Sequence, residues 1–314
     1  MPIQADLRQA IYALSDSLDL VGVDDVAHGK RVGVMAAECA REIGWSDADV
    51  QFAFDLGLLH DIGVSSTAMH QHLVGEFDWA GAQGHADVGY QLLREFAPLA
   101  RLALPIRYHH MRWEAMPAHG VPPEIAAAAN LILLTDRVDA IAGHYHGAGG
   151  ALQHRKAIQQ EIVQRQGSYF DPRWVEVFLS VSDHEAYWLQ LESRGLQSYL
   201  AAMQDIGDPF VATHAEFCAL AEIFSRIVDA KSPFTVSHSR GVARVARRLG
   251  EQLGVAPESC DKLEIAGLLH DLGKLRVPDR ILDKPGRLDE EERMVMRSHS
   301  FETWQILRHI RGFE

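Results

Sequence analysis

Histidine and aspartate recur in this chain at spacings that suit a metal centre. His28 lies 32 residues before the adjacent pair His60-Asp61, and His85, the pair His109-His110 and Asp136 follow. Imidazole nitrogens are borderline ligands, whereas carboxylates are hard anions that can bridge two cations. A His/Asp set without thiolate therefore suits Mn, Fe, Ni, Zn or Mg. Neighbouring residues on a helix project roughly 100° apart, so His60 and Asp61 can both face a cleft formed with other helices. His28, one helix earlier, is the natural third ligand. At least one of His109 and His110 is expected to join, and both together would imply a two-metal site. Asp24, one turn before His28, could bind an additional metal, although an acidic residue near a helix start is the commoner explanation. His70, His72, His144 and His146 fall in loop-like stretches and are expected at the surface.

A lone buried histidine is more often a satisfied core residue than a ligand. What lifts this set is repetition. GLLHDIG at 57–63 returns as GLLHDLG at 267–273, an offset of 210, and His28 maps onto His238. After the His-Asp pair the copies drift slightly: His85 follows Asp61 by 24 residues, His299 follows Asp271 by 28.

The elements that must carry these residues repeat as well. Val32, Met35, Ala36, Cys39, Ala40 and Ile43 form a helical stripe. Adding 210 gives Val242, Val245, Ala246, Leu249, Gly250 and Leu253. Gly44 and Gly254 end the two helices as C-caps. The following helices open at Ser46-x-x-Asp49, a capping-box pattern, and near Pro257. A leading helix also agrees, with Leu7, Ala10, Ile11 and Leu14 matching Phe217, Leu220, Ala221 and Phe224. Strand signals are weak, so the chain is expected to be all-α. A break is expected around Gly207-Asp208-Pro209, giving domains 1–205 and 206–314. The stretch from Asp183 to Met203 reads as a connecting helix that Gly195 could interrupt.

Composition narrows the possible partners. The chain has 314 residues, 30 basic and 43 acidic, for a net charge of −13, which argues against a nucleic-acid polymer as partner. Arg244, Arg247 and Arg248 read as a solvated helix face. Cys39, Cys218 and Cys260 are far apart and odd in number, so no disulfide framework is expected. MPIQADLRQAIY lacks the pattern of a signal peptide, and no stretch approaches the ~20 apolar residues of a membrane span. A cytoplasmic location follows as the expectation.

With these residues in place, the chain resembles the HD superfamily of metal-dependent phosphohydrolases. The second copy resembles its HD-GYP branch, which hydrolyses cyclic dinucleotides. That resemblance rests on HSRGVARVARRLG, on LLHDLGKLRVPDRILDKPGRLDEEE and on His299. It implies two tandem HD-type helical bundles. It further implies His238, His270, Asp271 and His299 as metal ligands, and Lys274 as a catalytic residue placed to contact a phosphate oxygen. The branch's later elements, a His-His-Glu, the Gly-Tyr-Pro loop and a final Asp, do not occur before Glu314, so the second bundle reads as incomplete, and the ending LRHIRGFE reads as a cut within a domain. The first copy keeps the whole ligand series, and its GSYFDPRWVEVFL is similar to the segment that closes the family's domain. It departs in two places: Val64 stands where Lys274 stands, and MRWEAMPAHGVPP lacks the Gly-Tyr-Pro signature. Arg107, Arg112 or Arg137 could replace the missing cation.

Three functions are compatible with this reading. The first is a divalent-metal phosphodiesterase acting on a cyclic dinucleotide or related nucleotide. It would hold two metals per complete site, with Asp61 as the bridging catalytic carboxylate. The second is a regulatory or dimerising HD module, for which a homodimer is compatible. The third is a diiron oxygenase, since related HD folds use a similar ligand set and a fold alone does not fix chemistry.

Overall fold

The computed structural model describes residues 5–21, 27–79, 81–145, 150–204, 211–232 and 238–310. Asp24, His146 and the break at Gly207-Asp208-Pro209 lie outside them. Among the described residues the chain is helical: α1 (Leu7–Asp19), α2 (His28–Glu42), α3 (Asp47–Leu59), α4 (Thr67–Gly75), α5 (Ala82–Leu93), α6 (Ala100–Tyr108), α7 (Pro123–Gly143), α8 (Gly150–Val163), α9 (Pro172–Ser182), α10 (Glu185–Gln190), α11 (Ser193–Gln204), α12 (His214–Ala230), α13 (His238–Gln252), α14 (Pro257–Leu269), α15 (Asp279–Leu282) and α16 (Glu290–Leu307). Two-residue strands β1 (Ala5–Asp6) and β2 (Val211–Ala212) pair antiparallel, Ala5 opposite Ala212 and Asp6 opposite Val211.

The chain forms two compact units. The first bundle comprises residues 27–63 and 72–208; the second comprises 1–26, 64–71 and 209–314. This division departs from 1–205 and 206–314 in two stretches, for reasons visible in the contacts of each. α1 buries Leu7, Ala10, Ile11 and Leu14 and packs on α16 and on the 3-10 turn Leu272–Arg276, within the second bundle. The start of α4 is held by Asp279, whose Oδ2 accepts from Thr67 N at 3.0 Å and Ala68 N at 3.4 Å. The other oxygen of Asp279 is 3.2 Å from the buried ammonium of Lys231.

In the first bundle α2 and α3 cross closely because glycine lines the contact. A Cβ on Gly57 would lie 2.4 Å from Gly33 Cα, and one on Gly33 would lie 2.8 Å from Phe54 O. The second bundle repeats the crossing, with Gly267 of α14 against Ala243 Cα at 2.6 Å. Both preceding helices end at a left-handed glycine, Gly44 (φ 77°) and Gly254 (φ 73°). Ser46 caps α3 by accepting from Asp49 N, and Pro257 opens α14. The local signals for these ends were sufficient because each is satisfied within a few residues.

The two stripes meet different fates. In α2, Val32, Met35, Ala36, Cys39 and Ala40 are buried under α3, α7 and α9, and Ile43 at the C-cap is exposed. In α13 the matching Val245, Leu249 and Leu253 are exposed, at 58%, 53% and 80%. α13 packs on α12 and α14, which cover its other side. Helical periodicity identifies an apolar face but not the neighbour that covers it.

The stretch after Asp183 forms two helices rather than one. The break falls at Leu191-Glu192, not at Gly195, which sits inside α11 where a Cβ would meet Leu189 O at 2.3 Å. His70 and His72 lie on α4, not in a loop; His72 is exposed, as is His144 at the C-cap of α7.

Candidate metal centre

Seven residues singled out from the sequence meet inside the first bundle. His28 opens α2, His60 caps α3 with Asp61 next to it, His85 lies on α5, His109 caps α6 with His110 next to it, and Asp136 lies on α7. Their ligand atoms form two groups, Asp61 with His85, His109 and His110, and His28 with His60 and Asp136. Asp61 reaches toward both. Its Oδ1 is 3.0 Å from His85 Nε2 and 3.8 Å from His109 Nε2, while its Oδ2 is 3.4 Å from His60 Nε2 and 3.9 Å from His28 Nε2. Asp136 Oδ1 stands 3.3 Å from His28 Nε2 and 4.0 Å from His60 Nε2.

Three of the imidazoles are aimed by their second nitrogen, whereas His85 Nδ1 is buried without a hydrogen-bond partner. His60 Nδ1 is 2.8 Å from Gly57 O, and His109 Nδ1 is 2.6 Å from Ile106 O. Both acceptors are carbonyls of a last helical turn, and Ile106 O also accepts from His109 N at 3.4 Å. With Nδ1–H donated there, Nε2 keeps its lone pair for the centre. His28 uses a carboxylate instead: its Nδ1 is 2.7 Å from Asp139 Oδ2. Arg31 grips the same carboxylate with both arms of its fork, Nε to Oδ1 at 2.6 Å and a terminal nitrogen to Oδ2 at 2.8 Å. Ala27, just before His28, has φ 94°, a left-handed conformation costing about 1 kcal/mol for a residue with a Cβ. Asp136 is held by Arg137, which bonds its Oδ2 at 2.8 Å and spends its remaining donors on the carbonyls of Leu73, Glu76 and Phe77.

Electrostatics match the geometry. Burial opposes the charged form of Asp61, but His60, His85 and His28 outweigh it and hold this carboxyl well below the usual range. Asp136 is likewise lowered, with Arg137 and His28 overcoming burial. Burial, with His85 and His60 alongside, pushes His109 down to about 3, and His110 falls too. For His28, burial works against the cation, and Asp136 and Asp139 outweigh it, so its pKa is raised.

These residues fit a divalent cation. His60 Nε2 is buried and has no hydrogen-bond partner. His85 Nε2 stands 3.1 Å from His110 Nε2 and 3.4 Å from His109 Nε2, a convergence of acceptor nitrogens that a cation relieves.

The second bundle holds a smaller cluster. His238, His270 and Asp271 come together, and His299 Nε2 is 3.6 Å from Asp271 Oδ1. His270 and His299 use the same i−3 carbonyl device, Nδ1 to Gly267 O at 2.9 Å and to Met296 O at 2.5 Å. Lys274 Nζ is 2.6 Å from Asp271 Oδ2. His85 and His299 are true counterparts despite their different spacings. A Cβ on Gly63 would lie 2.0 Å from His85 O, and one on Gly273 2.1 Å from His299 O. The glycine after each His-Asp pair thus admits the backbone of the third histidine.

Of the arginines considered for the missing cation, Arg137 reaches the centre through Asp136. Arg107 pairs with Asp87 at 3.0 Å, and Arg112 with Asp78. Val64 is buried. Asp139 and Arg31 escaped the sequence reading. Each lies three residues after a ligand, Asp139 after Asp136 and Arg31 after His28, on the same helix face, and that spacing was the available signal.

The fold and the centre define a histidine/aspartate helical domain, and a family model agrees. The model described as HD domain matches residues 26–141 and 235–314, so the chain belongs to the HD domain family. The chain is 34% identical to the 3′3′-cGAMP-specific phosphodiesterase 1 of Vibrio cholerae over 98% of its own length and 72% of that protein. It is 29% identical to a cyclic di-GMP phosphodiesterase of Thermotoga maritima, over 36% of this chain and 31% of that one. Among solved structures, the crystal structure of a cyclic GMP-AMP-specific phosphodiesterase of Vibrio cholerae superposes with a TM-score of 0.73 at 24% identity, covering 98% of this chain and 80% of that one.

Proposed function

We propose that this chain is a metal-dependent phosphodiesterase acting on cyclic dinucleotides, with a dinuclear centre in the first bundle. The observation that carries the reading is Asp61, whose two oxygens address two separate ligand groups. His28, His60 and Asp136 would hold one cation; His85, His109 and His110 the other. Two such cations would supply a hydroxide at neutral pH, by lowering the pKa of a bound water from ~15.7 to ~7, and neutralise phosphate charge. The chain's own part is to aim Nε2 of three of these histidines, through carbonyls for His60 and His109 and through Asp139 for His28. Arg137 fixes Asp136 so that Oδ1 alone faces the centre. The substrate class is supported by the relatives, which are named for 3′3′-cGAMP and cyclic di-GMP. A cytoplasmic location is supported by three unpaired cysteines, and no helix among the described residues is long and apolar enough to cross a membrane.

A second reading, a regulatory site in the first bundle, is favoured by Val64. It gives that copy no cation where the second bundle carries Lys274 on Asp271.

The test is metal content with hydrolysis of 3′3′-cGAMP and cyclic di-GMP, for the chain and its His60→Ala/Asp61→Ala variant. The proposal expects the variant to lose about two metals per chain together with hydrolysis. Unchanged hydrolysis in the variant sinks it. Metal loss without any hydrolysis in the parent chain supports the regulatory reading instead.

A further inference from the structure

A cavity of about 190 Å³ lies beside the centre, lined by His110 and Arg137 of the centre and by Phe77, Trp79 and Tyr169. It is smaller than the ~300–1,000 Å³ usual for a whole drug-sized ligand, which suits one part of a ligand whose remainder lies over the centre. The walls are aromatic. His72 stacks on Trp79, with ring centroids 5.1 Å apart and planes 10° apart, which fixes the indole against the cavity. Two carboxylates lie on the wall, Glu76, which pairs with His72 Nδ1 at 2.7 Å, and Asp78, which two donors hold in place. Tyr169 Oη donates to Asp78 Oδ2 at 2.7 Å, and Arg112 bonds the same oxygen while its guanidinium lies over the Tyr169 ring. An ionised carboxylate has about four acceptor sites; two are used on Oδ2, so the two on Oδ1 remain for a ligand.

We infer that this cavity binds a guanine base, stacked on Trp79 and read by Asp78. Guanine presents two neighbouring donors, N1–H and its 2-amino group, which a carboxylate oxygen accepts together. Adenine offers an acceptor, N1, at the corresponding place, where it faces the carboxylate unfavourably. The cavity adjoins His110 of the centre, so a base here belongs to a nucleotide whose phosphate lies at the ligand groups. This inference rests on the proposed function only for calling that nucleotide part of a cyclic dinucleotide; preference for guanine stands on the cavity alone. Asp78→Asn gives a directional test. The amide oxygen is claimed by the Arg112 and Tyr169 donors, so the amide nitrogen must turn to the ligand, where it suits adenine N1 and opposes guanine N1–H.

Equilibrium dialysis of guanosine 5′-monophosphate and adenosine 5′-monophosphate against the full chain, with Mn²⁺ and with chelator, reads the preference. Guanosine monophosphate is expected to bind at least about tenfold more tightly, and Trp79→Ala to weaken both ligands about tenfold, as for loss of one stacking partner. Asp78→Asn is expected to reverse the preference. Gln83→Trp, a bulky substitution at the exposed rim, is expected to block both ligands without touching Asp78. Equal binding of the two monophosphates, a preference unchanged in Asp78→Asn, or unchanged binding in Gln83→Trp would overturn the inference. The two proposals separate cleanly. A guanine preference that follows Asp78 in a chain that hydrolyses nothing upholds the cavity and sinks the activity. Hydrolysis that survives with no preference does the reverse.

Discussion

Asp139 shows how much of the proposed metal centre lies behind the residues that would ligate it. It touches no expected cation position, yet it accepts from His28 Nδ1 and from both arms of Arg31. Burial disfavours its charge, and Arg31 and His28 reverse that and keep it ionised. Two things depend on this carboxylate: the neutralisation of a buried guanidinium and the direction of His28 Nε2. Asp139→Asn keeps the volume and removes the charge. It is expected to destabilise the chain by roughly 3 kcal/mol, as when one partner of a buried pair is lost, measurable in urea unfolding. Metal affinity, followed by titration with Mn²⁺, should fall by about 10–100-fold, the usual effect of losing a carboxylate behind a ligating histidine. Unchanged metal affinity with lowered stability would make Asp139 a structural residue only.

At the scale of elements, bare backbone brings the ligands together. α2 and α3 approach through Gly33 and Gly57, which sets His28 near His60. Gly63 then lets the backbone of α5 reach the turn after Asp61, which sets His85. Overpacking typically costs 1–3 kcal/mol, so Gly57→Ala should lower stability by about that amount, seen as a lower urea midpoint. Both substitutions meet backbone, but Gly63→Ala meets the carbonyl of His85 itself, so the helix that carries this histidine must move. Its expected signature is loss of metal binding greater than that of Gly57→Ala, and equal retention of metal in both variants would contradict this. The glycines at 57 and 63 were visible as a repeated motif. Their role was not, because close approach is a property of two backbones and a sequence displays one.

At the scale of the whole molecule, the two bundles depend on different interactions, and perturbations should stay local. Metal binding stabilises a native state by RT ln(1 + [L]/Kd), about 2.7 kcal/mol at a hundredfold excess over Kd. Hydrogen exchange with and without Mn²⁺ is therefore expected to slow in α2, α3, α5, α6 and α7 of the first bundle. Uniform slowing along the chain would show that the cation acts elsewhere. In the second bundle, Asp279→Ala removes the ion pair of the buried Lys231 ammonium and the acceptor for Thr67 N and Ala68 N, an expected loss of about 3 kcal/mol. Lys231→Met should cost far less, and faster exchange near Thr67 in the first variant alone would locate the effect.

The sequence by itself determined the helical class, the duplication and the identities of the seven residues at the first centre. The helical class rests on local matters, periodicity and caps, each satisfied within a turn or two, and the seven residues were legible because their pattern repeats and resembles a known family. Asp139 and Arg31 lie 108 residues apart, and α1 packs on helices nearly three hundred residues away, so their roles appear only when distant segments meet. Periodicity likewise marked the same stripe on α2 and α13. One is largely buried and the other largely open because burial depends on which neighbour packs there, and only the tertiary structure decides that.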